Sequence, residues 1–179
     1  NDVINNFISI KKNLDLYKKN FLEKINLRYV VMCENLRVSG IQTAGVPNHR
    51  VKTLIIDVKF DKRYFERSIH HELFHMIDDS FENLFSKKDW EKLNYENFKY
   101  AECSTCTNKS DLSLVKNSKG FLTEYSMSTA SEDMAEIFSF MMTDKKRLNE
   151  MAKLDPILDK KIVFLKDKLS KIDKNINFK

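Results

Sequence analysis

Hydrophobic positions along this chain fall into helical and strand periods that follow one another without internal repeats. Over residues 3–26, Val3, Ile4, Phe7, Ile8, Ile10, Leu14, Leu16, Tyr17, Phe21 and Ile25 form a broad apolar face at helical spacing. That pattern predicts one amphipathic helix packed on a sheet or a central helix. Two short β-branched runs, residues 28–34 and 51–58, suit strands. Between them, residues 39–47 hold two of the three glycines and one of the two prolines, which predicts a turn and an irregular edge strand. Phe65, Ile69, Leu73, Met76 and Ile77 then recur at three- and four-residue steps, with no Gly or Pro from residue 62 to 79. A central helix is expected there.

Downstream, Phe81, Leu84, Phe85, Trp90 and Leu93 predict one or two short helices capping the core. Residues 95–120 run polar, a loop long enough to act as a flap. Residues 121–130 read as extended. Ser131 can cap a helix over residues 131–143, with Glu132 and Asp133 in the first turn, where the helix dipole favours negative charge. A last helix is expected over 156–172, with Ile157, Leu158, Ile162, Leu165, Leu169 and Ile172 facing inward. The order of elements predicts an α+β fold, mostly helical with a small twisted sheet, in a single domain spanning residues 1–179.

Composition narrows the class. A chain of 179 residues can bury a substantial core without disulfide staples. Its 42% hydrophobic and 32% charged residues exclude a disordered chain, and no apolar run approaches the ~20 residues needed to cross a bilayer. A net charge of +5 admits an anionic partner. Yet Lys11, Lys12, Lys18, Lys19, Lys160, Lys161, Lys166 and Lys168 are scattered among acidic residues on the expected outer faces of the terminal helices, which reads as solvated surface. The chain begins at Asn1 with no initiator Met, consistent with a processed form, and a secreted or cell-surface location is expected. Cys103 and Cys106 have C-x-x-C spacing in a polar stretch and read as a loop dithiol able to close into a disulfide outside the cell, with Cys33 a small buried hydrophobe.

The candidate chemistry lies in the central helix. His71-Glu72-Leu73-Phe74-His75 is an H-E-x-x-H pattern, which on a helix places two imidazoles on one face within reach of one metal ion. Glu72 then sits beside the ion without ligating it, where it can take a proton from a water whose pKa zinc lowers to about 7. A catalytic zinc needs a third protein ligand. Cys103 and Cys106 can offer thiolates, but the acidic cluster Glu132-Asp133-Met134-Ala135-Glu136 is better placed, because a helix puts Glu132 and Glu136 on one face. Helix-dipole compensation, or a capping box from Thr129 to Glu132, calls for the same acids. Two other classes of function stay open: a zinc-containing interaction module without turnover, and a basic nucleic-acid-binding domain with incidental histidines.

The run H-E-L-F-H-M-I-D-D, followed by T-E-Y-S-M-S-T-A-S-E-D-M-A-E, resembles the gluzincin metallopeptidases of the anthrax lethal factor and Pro-Pro endopeptidase kind, and bacterial zinc-binding metallopeptidases related to them. The resemblance implies a zincin-like domain and a zinc-dependent endopeptidase acting on a peptide or protein; separately, a monomer with no nucleic-acid partner is expected. It implies one catalytic Zn²⁺ on His71, His75 and Glu132, with Glu72 as general base. Tyr125, seven residues before Glu132, becomes the hydroxyl facing the oxyanion. Glu136 becomes the carboxylate that receives a ligand imidazole N–H, with Asp78 and Asp79 as further acceptors. Glu136 as ligand, supported by Glu132, is the competing register. The resemblance covers the two motif helices, which are expected to cross, and the cysteine-bearing stretch between them has no counterpart in it.

Overall fold

The computed structural model describes residues 2–174 and residue 176. It has the expected α+β class, about half helical with a small mixed sheet. The chain divides into two compact units, one ending at Phe81 and the other starting at Glu82.

The first unit opens with α1 (Asp2–Leu14) and α2 (Lys19–Lys24), where the hydrophobic period predicts one unbroken helix. The break is local and polar. After Asp15 N–H reaches Lys11 O, the next bonds shorten to i→i+3, Leu16 to Asn13 and Tyr17 to Leu14, and the chain turns. The turn drops the Tyr17 ring into a buried position. The rotation of α1 also departs from expectation. Val3, Ile4, Phe7 and Ile8 are 52–60% exposed, whereas Ile10 and Asn13 are buried.

Strands β1 (Tyr29–Cys33) and β5 (Thr53–Asp57) run parallel, and β4 (Gly45–Asn48) pairs antiparallel with β5, so the order is β1-β5-β4 with β4 on an edge. The expected irregular edge strand is therefore β4. Before it, β2 (Arg37–Val38) and β3 (Ile41–Gln42) form a minimal hairpin. Its two-residue loop places Ser39 and Gly40 at positive φ, the backbone that right-twisted hairpins require. Cys33 is half-buried and unpaired, not a fully buried hydrophobe. Partial burial, then the nearby Asp57 carboxylate, push its thiol pKa up and make it a poor nucleophile. Helix α3 (Phe65–Ser80) lies against β4, β5 and α1, with Phe65, Ile69, Leu73, Met76 and Ile77 all buried as the period predicts.

In the second unit, α4 (Lys87–Glu91) is capped by the Ser86 hydroxyl and buries Trp90. Residues 95–120 hold one 3₁₀ turn, Ser104–Cys106, and a single antiparallel bridge from Leu114 to Thr123, and the segment is anchored by aromatics. Phe98 lies 4.5 Å from Phe121 between ring centroids, and Tyr100 lies 6.1 Å from it. Cys103 and Cys106 form a disulfide. The stretch expected to be extended instead contains a 3₁₀ turn, Tyr125–Met127. Helix α5 (Ala130–Thr143) packs against α4 and α7 (Pro156–Ile172), while α6 (Lys145–Leu154), which the sequence reading left unassigned, bridges α5 and α7.

The core of this unit holds a lysine expected on the surface. Lys161 is fully buried, its Nζ 2.6 Å from Asp133 Oδ2, 2.8 Å from Gly120 O and 3.8 Å from the Phe121 ring centre. Asp133 Oδ2 also accepts from Trp90 Nε1 and the Tyr100 hydroxyl. Burial pushes the Asp133 carboxyl up and the Lys161 amine down, and the charge of each opposes the shift of the other. Asp155 caps α7 through Ile157 and Leu158 N–H and holds the loop through Ser118 Oγ and Gly120 N–H. Gly120 has a φ of +90°, and a Cβ there would meet Ile157 Cγ2 at 2.4 Å.

Removing one member of the buried pair leaves an uncompensated charge. Lys161→Met should cost about 3–5 kcal/mol in urea unfolding, with part recovered by adding Asp133→Asn; an unchanged midpoint for the single variant would refute the assignment. For Asp155, desolvation raises the pKa, but the four hydrogen bonds outweigh it and hold the carboxyl low. A depressed folded pKa gives stability that is full above the unfolded value of about 4 and lost as pH falls through the folded one. Asp155→Asn should therefore cost about 2–3 kcal/mol at pH 7, a gap that closes on acidification below about pH 4. A gap of constant size across that range would contradict it.

Candidate metal centre

The helix carrying H-E-x-x-H follows the turn at residues 62–64 and runs sixteen residues without a Gly or Pro. His71 is buried and His75 half-buried on one face, one turn apart. Their Nε2 atoms lie 3.2 Å apart, with the rings edge to face at a centroid separation of 5.0 Å. Two ligands ~2.0–2.1 Å from a tetrahedral zinc stand ~3.3 Å apart, so this spacing fits two corners of such a site. The same separation suits an N–H···N hydrogen bond between the rings. Glu72 is buried beside His71. Farther along α3, Asp78 is buried, and Asp79 Oδ2 pairs with His49 Nδ1 at 2.6 Å, both side chains about half exposed.

His70, next to the motif, has a separate task. Its Nε2 lies 3.0 Å from Asn13 Oδ1, and its Nδ1 lies 2.6 Å from the Tyr17 hydroxyl, all three residues buried. Asn13 Nδ2 donates to Ser9 O at 2.9 Å, which turns its Oδ1 toward the imidazole. The proton then belongs on His70 Nε2, and Nδ1 accepts from Tyr17, whose pKa burial raises well above the ordinary value. Concentration of three histidines in one turn and a half therefore overstates the metal signal, because one of them is a core residue. Nothing in the local sequence marks Asn13 and Tyr17 as its partners.

In the second unit the N-cap of α5 is Thr129, not Ser131. Thr129 Oγ1 accepts from the Glu132 N–H at 3.2 Å, the N-cap half of a capping box with Glu132 at the third helical position. Glu132 is half-buried in the first turn, and Glu136 lies one turn later, buried, with its Oε2 receiving the Thr123 hydroxyl at 2.9 Å. Tyr125 is half-buried on the preceding 3₁₀ turn. Thr123 and Ser126 fold that turn by bonding each other's backbone, Ser126 N–H to Thr123 Oγ1 at 3.0 Å and Ser126 Oγ to Thr123 O at 2.7 Å. Thr123, which opens the T-E-Y-S run but has no role in the resemblance, therefore links the Tyr125 turn to Glu136. Cys103 and Cys106 are bonded to one another and are not thiolate donors.

Residues 10–175 match the model of a family described as "putative zinc-binding metallo-peptidase". No curated protein and no solved structure matches the chain.

Because His70 serves packing, its hydrogen bonds can be cut without touching the metal ligands. Tyr17→Phe should lower stability by about 1–3 kcal/mol in denaturant unfolding while leaving zinc content as in the parent protein. Lost zinc with stability intact would place His70 in the metal centre instead.

Proposed function

The chain belongs to that family of zinc-binding metallo-peptidases, and from this we propose that it is a zinc-dependent endopeptidase of the gluzincin kind, akin to the lethal factor and Pro-Pro endopeptidase group. The observation that carries the reading is the pair of imidazole nitrogens 3.2 Å apart on α3 with Glu72 beside them. Support for Glu132 as third ligand is that it is a half-buried carboxylate in the first turn of α5, where the helix start favours its ionised form. Two nitrogens and a carboxylate oxygen are a donor set that zinc accepts with a position left for water. Bound there, zinc would acidify a water and polarise the scissile carbonyl.

The remaining steps belong to side chains. Glu72 takes the proton of the attacking water and returns it to the departing amine, a role that needs a carboxylate next to, not on, the ion. The Tyr125 hydroxyl donates to the developing oxyanion, a contribution of about 2.7–4 kcal/mol in comparable donors. Glu136, held by Thr123, and Asp78 are the carboxylates that orient the ligand imidazoles, whereas Asp79 is engaged by His49 and does not take the role the sequence offered it. The substrate is a peptide or protein. The disulfide between Cys103 and Cys106 supports a secreted or cell-surface location. Among the described residues, no helix is long and apolar enough to cross a membrane.

Elemental analysis and hydrolysis of a quenched peptide library test the roles separately. Glu72→Gln should keep zinc at the parental ratio and lower turnover by about 10²–10⁴-fold. Glu132→Ala should lose the zinc, whereas Glu136→Ala should weaken its binding about 10–100-fold. Full turnover by Glu72→Gln would remove the mechanism, and the reverse order of zinc loss in the two glutamate variants would transfer the ligand to Glu136.

A further inference from the structure

We infer that Gly45, on edge strand β4, is a positioning residue for Glu72; the inference rests on the peptidase reading above. The three glycines of the chain are required for different reasons. Gly40 and Gly120 lie at φ +83° and +90°, whereas Gly45 adopts strand geometry open to any residue and is paired with Ile56 of β5. Gly45 is needed for space. A Cβ at this position would lie 2.6 Å from Glu72 Cγ, 2.9 Å from Ile55 O and 3.1 Å from Ile56 Cδ1. The β4 backbone therefore runs directly along the aliphatic stem of Glu72.

That contact has a consequence for chemistry. Glu72 is buried, so its stem cannot swing outward without losing its packing. The bare backbone of Gly45 forms one wall of the space in which the stem lies, and the Thr43 hydroxyl, donating to Gly45 O at 3.1 Å, helps to fix that wall. A base that moves a proton in two directions must stay within hydrogen-bond reach, about 2.6–3.2 Å, of both partners. A methyl group at position 45 would force Glu72 Cγ away by about 1 Å, since carbon atoms pack at about 3.5–4.0 Å. Misplacement on that scale costs about 10²-fold in rate. Neither His71 nor His75 is among the three atoms nearest the added Cβ, so the clash falls first on Glu72 and on β5.

The test uses Gly45→Ala with fluorescein-labelled casein as probe substrate. Expected are a kcat lower by about 10²-fold, a KM within about 3-fold of the parent, and unchanged zinc content, a split that a general loss of structure would not give. Parental kcat in a folded Gly45→Ala protein overturns the inference. Thermal unfolding of zinc-free protein supplies a second readout. Gly45→Ala should lower Tm in the parent, and at least half of that loss should vanish in a Glu72→Ala background, where Cγ is gone and only the β5 contacts remain. Equal Tm losses in the two backgrounds overturn the inference. If Gly45→Ala does not fold, recovery of folding in the double variant supports it and failure to recover refutes it. Parent protein inert toward casein counts against the peptidase reading, and the Tm comparison then decides the coupling of Gly45 to Glu72 by itself.

Discussion

The first unit depends on one buried polar contact, the bracket of Asn13 and Tyr17 around His70. An imidazole without partners in a core would cost several times the strength of an ordinary hydrogen bond. Its two nitrogens therefore dictate where α1 and the turn after it can lie. Because successive residues on a helix are about 100° apart, fixing His70 also fixes the directions of His71 and Glu72. The choice is visible on α1 itself. That helix buries Asn13 and leaves Val3, Ile4, Phe7 and Ile8 exposed, an orientation that hydrophobic burial alone would reverse.

The second unit uses the same device at the start of α5. Asp133 turns inward to Lys161, Trp90 and Tyr100, while its neighbour Glu132 is half-buried. In both helices, then, a polar residue adjacent to a candidate ligand is consumed by a buried network. Such a network is demanding of geometry, since half-satisfied it destabilises. It locks helix rotation more sharply than apolar packing, which tolerates small slips. For a metal centre, where a displaced donor loses its bond, that sharpness is worth the desolvation it costs.

Much of this was legible in the sequence, for reasons that can be named. The period of Phe65, Ile69, Leu73, Met76 and Ile77 placed α3 because it marks the buried stripe of a helix, and β-branched runs placed β1 and β5, the central strand β5 being buried on both faces and legible from composition, not alternation. The spacing of His71 and His75 is a local property of a helix and survives any tertiary arrangement. What failed was non-local. Lys161 has the sequence context of a surface lysine, and only the arrival of Asp133, 28 positions earlier, makes its burial tolerable. The break at residues 15–18 contains no Gly or Pro and follows from where Tyr17 must go. The 3₁₀ turn at Tyr125 arises from side chains of Thr123 and Ser126 bonding backbone, a competition that hydropathy does not register.

The two glutamates of α5 show how environment can divide roles between like residues. Glu136 is buried and its Oε2 is held by Thr123 Oγ1, so its position is set by protein groups before any ion arrives. Glu132 stands in the first turn, half-buried, where the helix start stabilises a carboxylate anion. A zinc ligand must be ionised and able to turn an oxygen toward the metal, whereas an acceptor for an imidazole N–H benefits from being immobile. A half-buried carboxylate stabilised by the helix dipole is in keeping with the ligand role proposed for Glu132, and a buried one held by Thr123 with the supporting role proposed for Glu136.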